Sequence, residues 1–176
     1  MSHDIIPQGA LIDRLSHRLF GAPLITNVWR GELVEEIAAM ALEPEWTHCG
    51  GDYGACDLLH TATGHRIQVK QAAARQSWGL SLTAPRFSIA HKSGAWIDGA
   101  RWVPGRSRNA DIFLFAWHSL TGADADHRDP SQWRFYAVRE IDLPQQKSIG
   151  LAAIQQLADE CGWRGLKSAV ESLGLR

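Results

Sequence analysis

The sequence predicts an α/β protein, and three observations predict it. Two segments with helical spacing come first, at about 10–20 and 28–42. A pair of short strand-like segments with a turn between them follows, at 58–61 and 66–70. A nearly continuous apolar run, Ala110 to Trp117, then precedes a second strand-like segment at 133–141.

In the first segment Leu11, Ile12, Leu15 and Leu19 recur at helical spacing, and Gly21-Ala22-Pro23 ends it. Asn27 is placed to cap the next helix, whose stripe is Leu33, Val34, Ile37, Ala38 and Ala41. Glu32, Glu35 and Glu36 lie off that stripe, and Pro44 stops the helix. Trp46 to Cys49 reads as a short strand. Gly50 to Gly54 is a glycine-rich approach to Asp57; it is not a phosphate-binding loop, because no Gly-Lys-Ser/Thr follows.

Leu58, Leu59 and Thr61 are good strand formers, and Thr63-Gly64 punctuates. Arg66 to Lys70 alternates with period two, so Ile67 and Val69 share one face while Gln68 and Lys70 share the other. Asp57 lies on the neighbouring strand, and a hairpin turning at Thr63-Gly64 carries its carboxylate toward that polar face.

Gln71 to Trp78 is polar on one side and small on the other. It reads either as an exposed turn or loop or as a stretch near a polyanion's backbone. Gly79 to Asn109 is rich in Gly, Pro, Arg and Trp and reads as an insertion, a hairpin with long loops. Within it Phe87 and Ile89 share a strand face, Trp96 and Trp102 flank a turn at Asp98-Gly99, and Pro104-Gly105-Arg106 begins a basic loop. Ala110 to Trp117 is the expected buried central strand. His118 to Gln132 is a polar loop in which Asp124, Asp126, His127 and Asp129 read as a mobile acidic stretch. Trp133 to Ile141 is a further strand. Ser148 is placed to cap a helix reaching about Asp159, with Ile149, Ala152, Ala153 and Leu157 inward. A last helix, Gly165 to Leu173, carries Leu166, Ala169, Val170 and Leu173.

The 176 residues fit one domain with the insertion at about 79–109. Apolar and charged fractions of 45% and 21% suit a globular protein. With no long apolar stretch, neither a membrane span nor a membrane partner is expected. No signal peptide is evident at the N-terminus, and the three cysteines form no Cys-x-x-Cys pair, so a cytoplasmic location with reduced thiols is expected. Net charge is −1, yet between Thr61 and Asn109 eight Lys or Arg face a single acid, Asp98. That local surplus suits a polyanionic partner.

An Asp, a short hairpin and then Gln-x-Lys resembles the PD-(D/E)xK nuclease superfamily, and the Gln is similar to the variant of Mrr-type endonucleases. The resemblance implies a restriction-endonuclease-like core, a mixed four- to five-stranded sheet flanked by helices. It implies that Asp57 and Gln68 are ligands of Mg²⁺ (or Mn²⁺), with the carbonyl of the intervening residue as a further ligand. It also implies that Lys70 orients or activates the attacking water. The opening helix of such enzymes often carries a metal-facing Glu, which makes Glu35 the expected third carboxylate and Glu32 the next choice. Acids in the first turns of a helix are also favoured by the helix dipole alone. Two positions differ from the commoner family pattern: Cys56 stands where a Pro often precedes the Asp, and Gln68 brings no negative charge. The runs Gln68 to Trp78 and Ala110 to Trp117 are also similar to runs in a family of bacterial proteins, which assigns no activity.

The function expected is thus a Mg-dependent endonuclease acting on DNA, in genome defence or repair. The alternatives are a nucleic-acid-binding module of the same fold with weak or no cleavage, and an interaction domain whose basic loop meets an acidic partner. The expected DNA contacts are Gln71, Arg75, Gln76, Ser77, Arg86, Lys92, Arg101, Arg106 and Arg108. Double-strand cutting by such a site requires a homodimer or two events. His48, Cys49, Cys56 and His60 do not have the spacing of a zinc knuckle or ribbon, and the cysteines read as small packed residues. No Gly-x-Ser-x-Gly elbow supports Ser-His-Asp catalysis.

Overall fold

The structure is a computed structural model that describes residues 6–49, 54–81, 83–97 and 101–175. The Gly50–Tyr53 approach and the expected Asp98-Gly99 turn lie outside the described residues. In chain order the elements are α1 (Gln8–Phe20), α2 (Asn27–Leu42), β1 (Trp46–His48), β2 (Leu58–His60), β3 (Arg66–Ala73), β4 (Arg75–Gln76), β5 (Gly79–Leu80), β6 (Arg86–Ser88), β7 (Lys92–Ile97), β8 (Arg101–Ser107), β9 (Ile112–His118), β10 (Trp133–Arg139), β11 (Ser148–Gly150), α3 (Leu151–Ile154) and α4 (Leu166–Glu171).

The architecture is mixed α/β, built on a five-stranded sheet of order β1-β2-β3-β9-β10. Neighbours are antiparallel except β3 and β9, which run parallel from Ile67↔Ile112 to Ala73↔His118. The hairpin expected at Thr63-Gly64 joins β2 to β3. Gly64 takes φ +72° there, a conformation glycine adopts without steric cost. A parallel pair needs a long crossover, usually a helix. Here residues 74–111 make it from short strands and hairpins instead.

Alternation along β9 sorts the core into two layers. Ile112, Leu114 and Ala116 pack with Ile67 and Val69 of β3 under α2 and α4. Phe113 and Phe115 face the other way, against Phe87 and Ile89 near β6, Ile149 of β11 and Ile154 of α3. β9 is buried along almost its whole length, as a strand covered on both faces must be.

Several expectations are corrected. The helix expected from Ser148 to Asp159 is β11 followed by a single turn, α3. Ser148↔Ser88 and Ile149↔Phe87 pair antiparallel, so Ile149 is buried as a strand residue while Ala152, Ala153 and Leu157 are exposed. The expected basic loop beginning at Pro104-Gly105-Arg106 lies within β8: Pro104 pairs with Gly94, and Gly105 and Arg106 fall where the register shifts before Lys92↔Ser107. Gln71 to Trp78 is neither helical turn nor loop for most of its length: β3 runs on to Ala73, and β4 turns back onto β5. Asn27 is not a cap but the first residue of α2, and its side chain serves Arg30 and Gln71 instead. α1 forms where expected, but its Leu11, Ile12 and Leu15 are exposed. No described helix is long and apolar enough to cross a membrane.

Candidate metal-binding and catalytic site

The site lies where β2 and β3 part. Their ladder covers Leu58↔Ile67 and Leu59↔Arg66, and the Asp57 amide still donates to the Ile67 carbonyl at 2.9 Å. Beyond that point the edge of β3 meets a side chain instead of a strand. Asp57 Oδ2 accepts from the Val69 amide at 2.6 Å and from the Gln68 side-chain amide. A residue's N–H and C=O point to the same strand edge, so the Val69 carbonyl also faces the side from which Asp57 reaches.

Gln68 is 5% exposed, held by Asp57 on its nitrogen and by Lys92 Nζ at 3.4 Å on its oxygen. The β3–β9 register sets Gln68 beside Phe113 and Lys70 beside Phe115, so both point to the layer opposite α2. Burial lowers the proton affinity of the Lys70 amine, and neighbouring Lys92 lowers it further. The Asp57 and Glu35 carboxylates act the other way. An amine tuned in that direction gives up or shares its proton more readily than a surface lysine.

Glu35 comes from α2. The stripe Val34, Ile37, Ala38 turns the helix onto the sheet, and Glu35 stands half-buried at the stripe's edge. Burial, then the nearby charges of Asp57 and Glu32, raise its pKa to about 7, with Lys70 opposing. A buried carboxyl held beside other carboxylates is an electrostatic setting that a divalent cation relieves. Trp46 and His48 share a face of β1. Trp46 is buried in the layer under α2, and His48 Nε2 lies 3.4 Å from Glu35 Oε2. Ligand atoms of Glu32, Glu35 and His48 all fall within 4.8 Å of one another.

Asp57, Gln68, Lys70 and Glu35 are thus brought to one region. As a donor set, carboxylate oxygens, an amide oxygen and a main-chain carbonyl fit a hard cation such as Mg²⁺ or Mn²⁺. The fit asks one change of Gln68, whose oxygen faces Lys92 while its nitrogen faces Asp57.

The expected DNA contacts divide. Arg86, Lys92, Arg101, Arg106 and Ser77 are exposed, and Arg86 lies along β6 with its guanidinium on Ser148. Arg75 donates to the Gly122 carbonyl. Arg108 is corrected outright. It is 2% exposed, donates to the carbonyls of Ile89 and Pro144, and pairs with Glu140 at 2.9 Å, so it ties the crossover to the turn at Glu140–Asp142 that follows β10. Gln71 and Gln76 are half-buried, and their side-chain oxygens accept from Arg30 at 2.7 and 2.8 Å.

Arg30 and His48 are the residues that sequence reasoning missed. Arg30 is 1% exposed and makes three bonds, all to amide oxygens, those of Asn27, Gln71 and Gln76. A signal for His48 existed: Glu32 and Glu35 are i,i+3 neighbours on one helix face, and the strand after that helix carries a histidine two residues beyond its buried Trp.

No protein-family model matches the sequence, and no curated protein matches it.

Proposed function

We propose that the protein is a divalent-metal-dependent nuclease with a restriction-endonuclease-like core, acting on DNA. The observation that carries the reading is the bonding of Asp57 to Gln68 and to the Val69 amide at the point where β2 leaves β3, with Lys70 and Glu35 within electrostatic reach of the Asp57 carboxylate. A mixed five-stranded sheet with α2 and α4 on one face and small strands with the short α3 on the other is compatible with that core.

In this reading Asp57, Gln68 and Glu35 hold Mg²⁺ or Mn²⁺, with the Val69 carbonyl as a further ligand. A bound ion supplies Lewis-acid stabilisation of the phosphoryl oxygens and a more acidic water. Lys70 orients that water and faces the charge that develops on the phosphate. Lys92, on the strand that leads into the β7–β8 hairpin, joins the site to the exposed Arg101 and Arg106, which would contact the phosphates of a duplex and position it. A homodimer would supply a second site for the second strand.

A supercoiled-plasmid assay with Mg²⁺ or Mn²⁺ tests the reading. The wild-type chain is expected to nick, and Lys70→Ala and Asp57→Asn to lose at least a hundredfold in rate. Equal cleavage by all three would remove the assignment. One observation favours a second reading, a nucleic-acid-binding module with little cleavage: Asp57 Oδ2 is already occupied by two donors, one of them Gln68. Binding that survives Lys70→Ala, with no nicking under either ion, would select it.

A further inference from the structure

The segment leading to Asp57 is bounded by two cysteines that the site does not use. Cys49 follows the last residue of β1, and Cys56 directly precedes Asp57. The β1–β2 pairing continues one step past His48↔Leu58, because the Cys49 amide donates to the Asp57 carbonyl at 2.8 Å. This brings the two side chains together, with Sγ to Sγ at 2.7 Å. An ordinary buried cysteine packs its sulfur against carbon; here each sulfur has the other as its neighbour.

We propose that Cys49 and Cys56 are a disulfide-forming pair, oxidised by small-molecule disulfides, whose bond closes residues 49–56 immediately ahead of Asp57. The inference stands apart from the nuclease reading, since it needs no metal and no nucleic acid.

The exchange balances as follows. Cys49, the more accessible of the two, attacks one sulfur of the small disulfide as its thiolate, and one small thiolate leaves. The Cys56 thiolate then attacks the Cys49 sulfur of the mixed disulfide, and the second small thiolate leaves. Two electrons pass from the protein sulfurs to the small disulfide, and the two thiol protons end on the released thiols. The thiolate is the attacking form, so the exchange is expected to quicken as pH rises. Cys161 is no competitor: its backbone bridges to Phe135 on β10, at the far edge of the sheet from β1.

The link has a structural consequence. Three of the six residues between the cysteines are glycines, Gly50, Gly51 and Gly54, so in the unfolded chain a link across them removes more conformations than one across bulkier residues. The Asp57 backbone is bonded to Cys49 on one side and to Ile67 on the other. Closing the segment therefore fixes the strand position from which the carboxylate reaches Val69.

The test uses the whole chain, equilibrated with oxidised glutathione at pH 8, then denatured and labelled with a maleimide. The expected result is a loss of two hydrogens in mass, a label on Cys161 alone, and a peptide linking Cys49 to Cys56. Oxidation is expected to raise Tm by about 5 °C, reversibly with reductant and not in Cys56→Ser. Three labelled cysteines, stable glutathione on Cys49 without a cross-link, or a link to Cys161 or between chains would each overturn the proposal. The mass and labelling arm needs no variant, so it decides the matter even if Cys56→Ser folds poorly.

Discussion

Asp57 Oδ2 takes the Val69 amide at 2.6 Å, filling with a side chain the place on the edge of β3 that β2 has just vacated. The carboxylate therefore has a structural duty as well as the proposed chemical one, and substitutions separate them. Asp57→Asn keeps an oxygen for the Val69 amide and is expected to stay within about 1 kcal/mol of wild type. Asp57→Ala strands both the amide and the Gln68 side chain, at about 2 kcal/mol. Urea titration measures both. If Asp57 holds the metal, the wild type is expected to nick plasmid and to rise in Tm with Mn²⁺, and both variants to lose the two effects. A Mn²⁺ shift retained in Asp57→Asn would take Asp57 out of the metal site.

Glu35 gives the site a pH signature. Its folded pKa is raised from 4.5 to about 7, so between those values the folded chain holds a proton that the unfolded chain has released. Stability from this group is present below about pH 4.5 and falls as pH rises toward 7. The groups around it are Glu32 on α2, His48 on β1, Asp57 before β2 and Lys70 on β3, and His48 opposes the trend while protonated. Glu35→Gln removes the penalty. Its Tm is expected to match wild type at pH 5 and exceed it at pH 8 without divalent ions. Adding Mn²⁺ at pH 8 is expected to raise the wild type and not the variant. A variant less stable at pH 8 in metal-free buffer would contradict the electrostatic account.

Much of the fold was legible because its signals are local. The run Ala110 to Trp117 is apolar at nearly every position and too short for a typical buried helix, which suits a strand covered on both faces, and it became β9. The Thr63-Gly64 turn and the alternation of Arg66 to Lys70 fixed the hairpin, and with it the face shared by Gln68 and Lys70. What was illegible depends on distant partners. Ile149 has helical spacing to Ala152 and Ala153, but Phe87, some sixty residues earlier in the chain, recruits it into a strand pair. Arg108 belongs to a basic run in sequence, yet its acceptors are the carbonyls of Ile89 and Pro144 and the Glu140 carboxylate. A run of charges gives no sign of which member the fold will bury.

Arg30 tests the cost of such a burial. Among the described residues its guanidinium bonds only amide oxygens, those of Asn27, Gln71 and Gln76. Burial lowers its pKa to about 10, which leaves it charged at neutral pH. Its three bonds tie α2 to the segment leaving β3 through Gln71 and Gln76. Arg30→Ala empties a buried volume and strands those amides, so a loss of about 3 kcal/mol is expected in urea titration. Arg30→Lys is expected to recover only part of it, since one ammonium cannot reproduce the planar fork. A loss below about 1 kcal/mol for Arg30→Ala would show that these bonds hold little together.

His127 predicts an acid limit. Its Nδ1 accepts from the Ile25 amide, its Nε2 donates to the Arg75 carbonyl, and burial beside Arg30 and His118 lowers its pKa to about 4. The unfolded chain takes up a proton near pH 6.5 and the folded chain only near 4. Stability is therefore full above pH 6.5 and declines as pH falls toward 4. His127→Gln is expected to be less stable than wild type at pH 7 and to lose less between pH 6.5 and 4.5. The two Tm curves should converge in acid; parallel curves would mean that another group sets the limit.

The β7–β8 hairpin separates substrate binding from folding. Arg101 and Arg106 are exposed along β8, and Trp96 stacks edge-on to Trp102 across the strand pair at 5.7 Å, so the hairpin has its own packing. Replacing both arginines by Gln is expected to leave Tm within about 1 °C, since exposed charges contribute little to stability. If each meets a phosphate, duplex binding followed by fluorescence anisotropy should weaken, and the slope of log K against log salt should flatten by about 2. Arg108→Gln should do the reverse, lowering Tm by several degrees because Glu140 and two carbonyls lose a buried donor, while the salt slope stays as it was. An unchanged slope in the Arg101/Arg106 double variant would move the phosphate contacts away from β8, with Arg86 and Lys92 as the next expected contacts to replace.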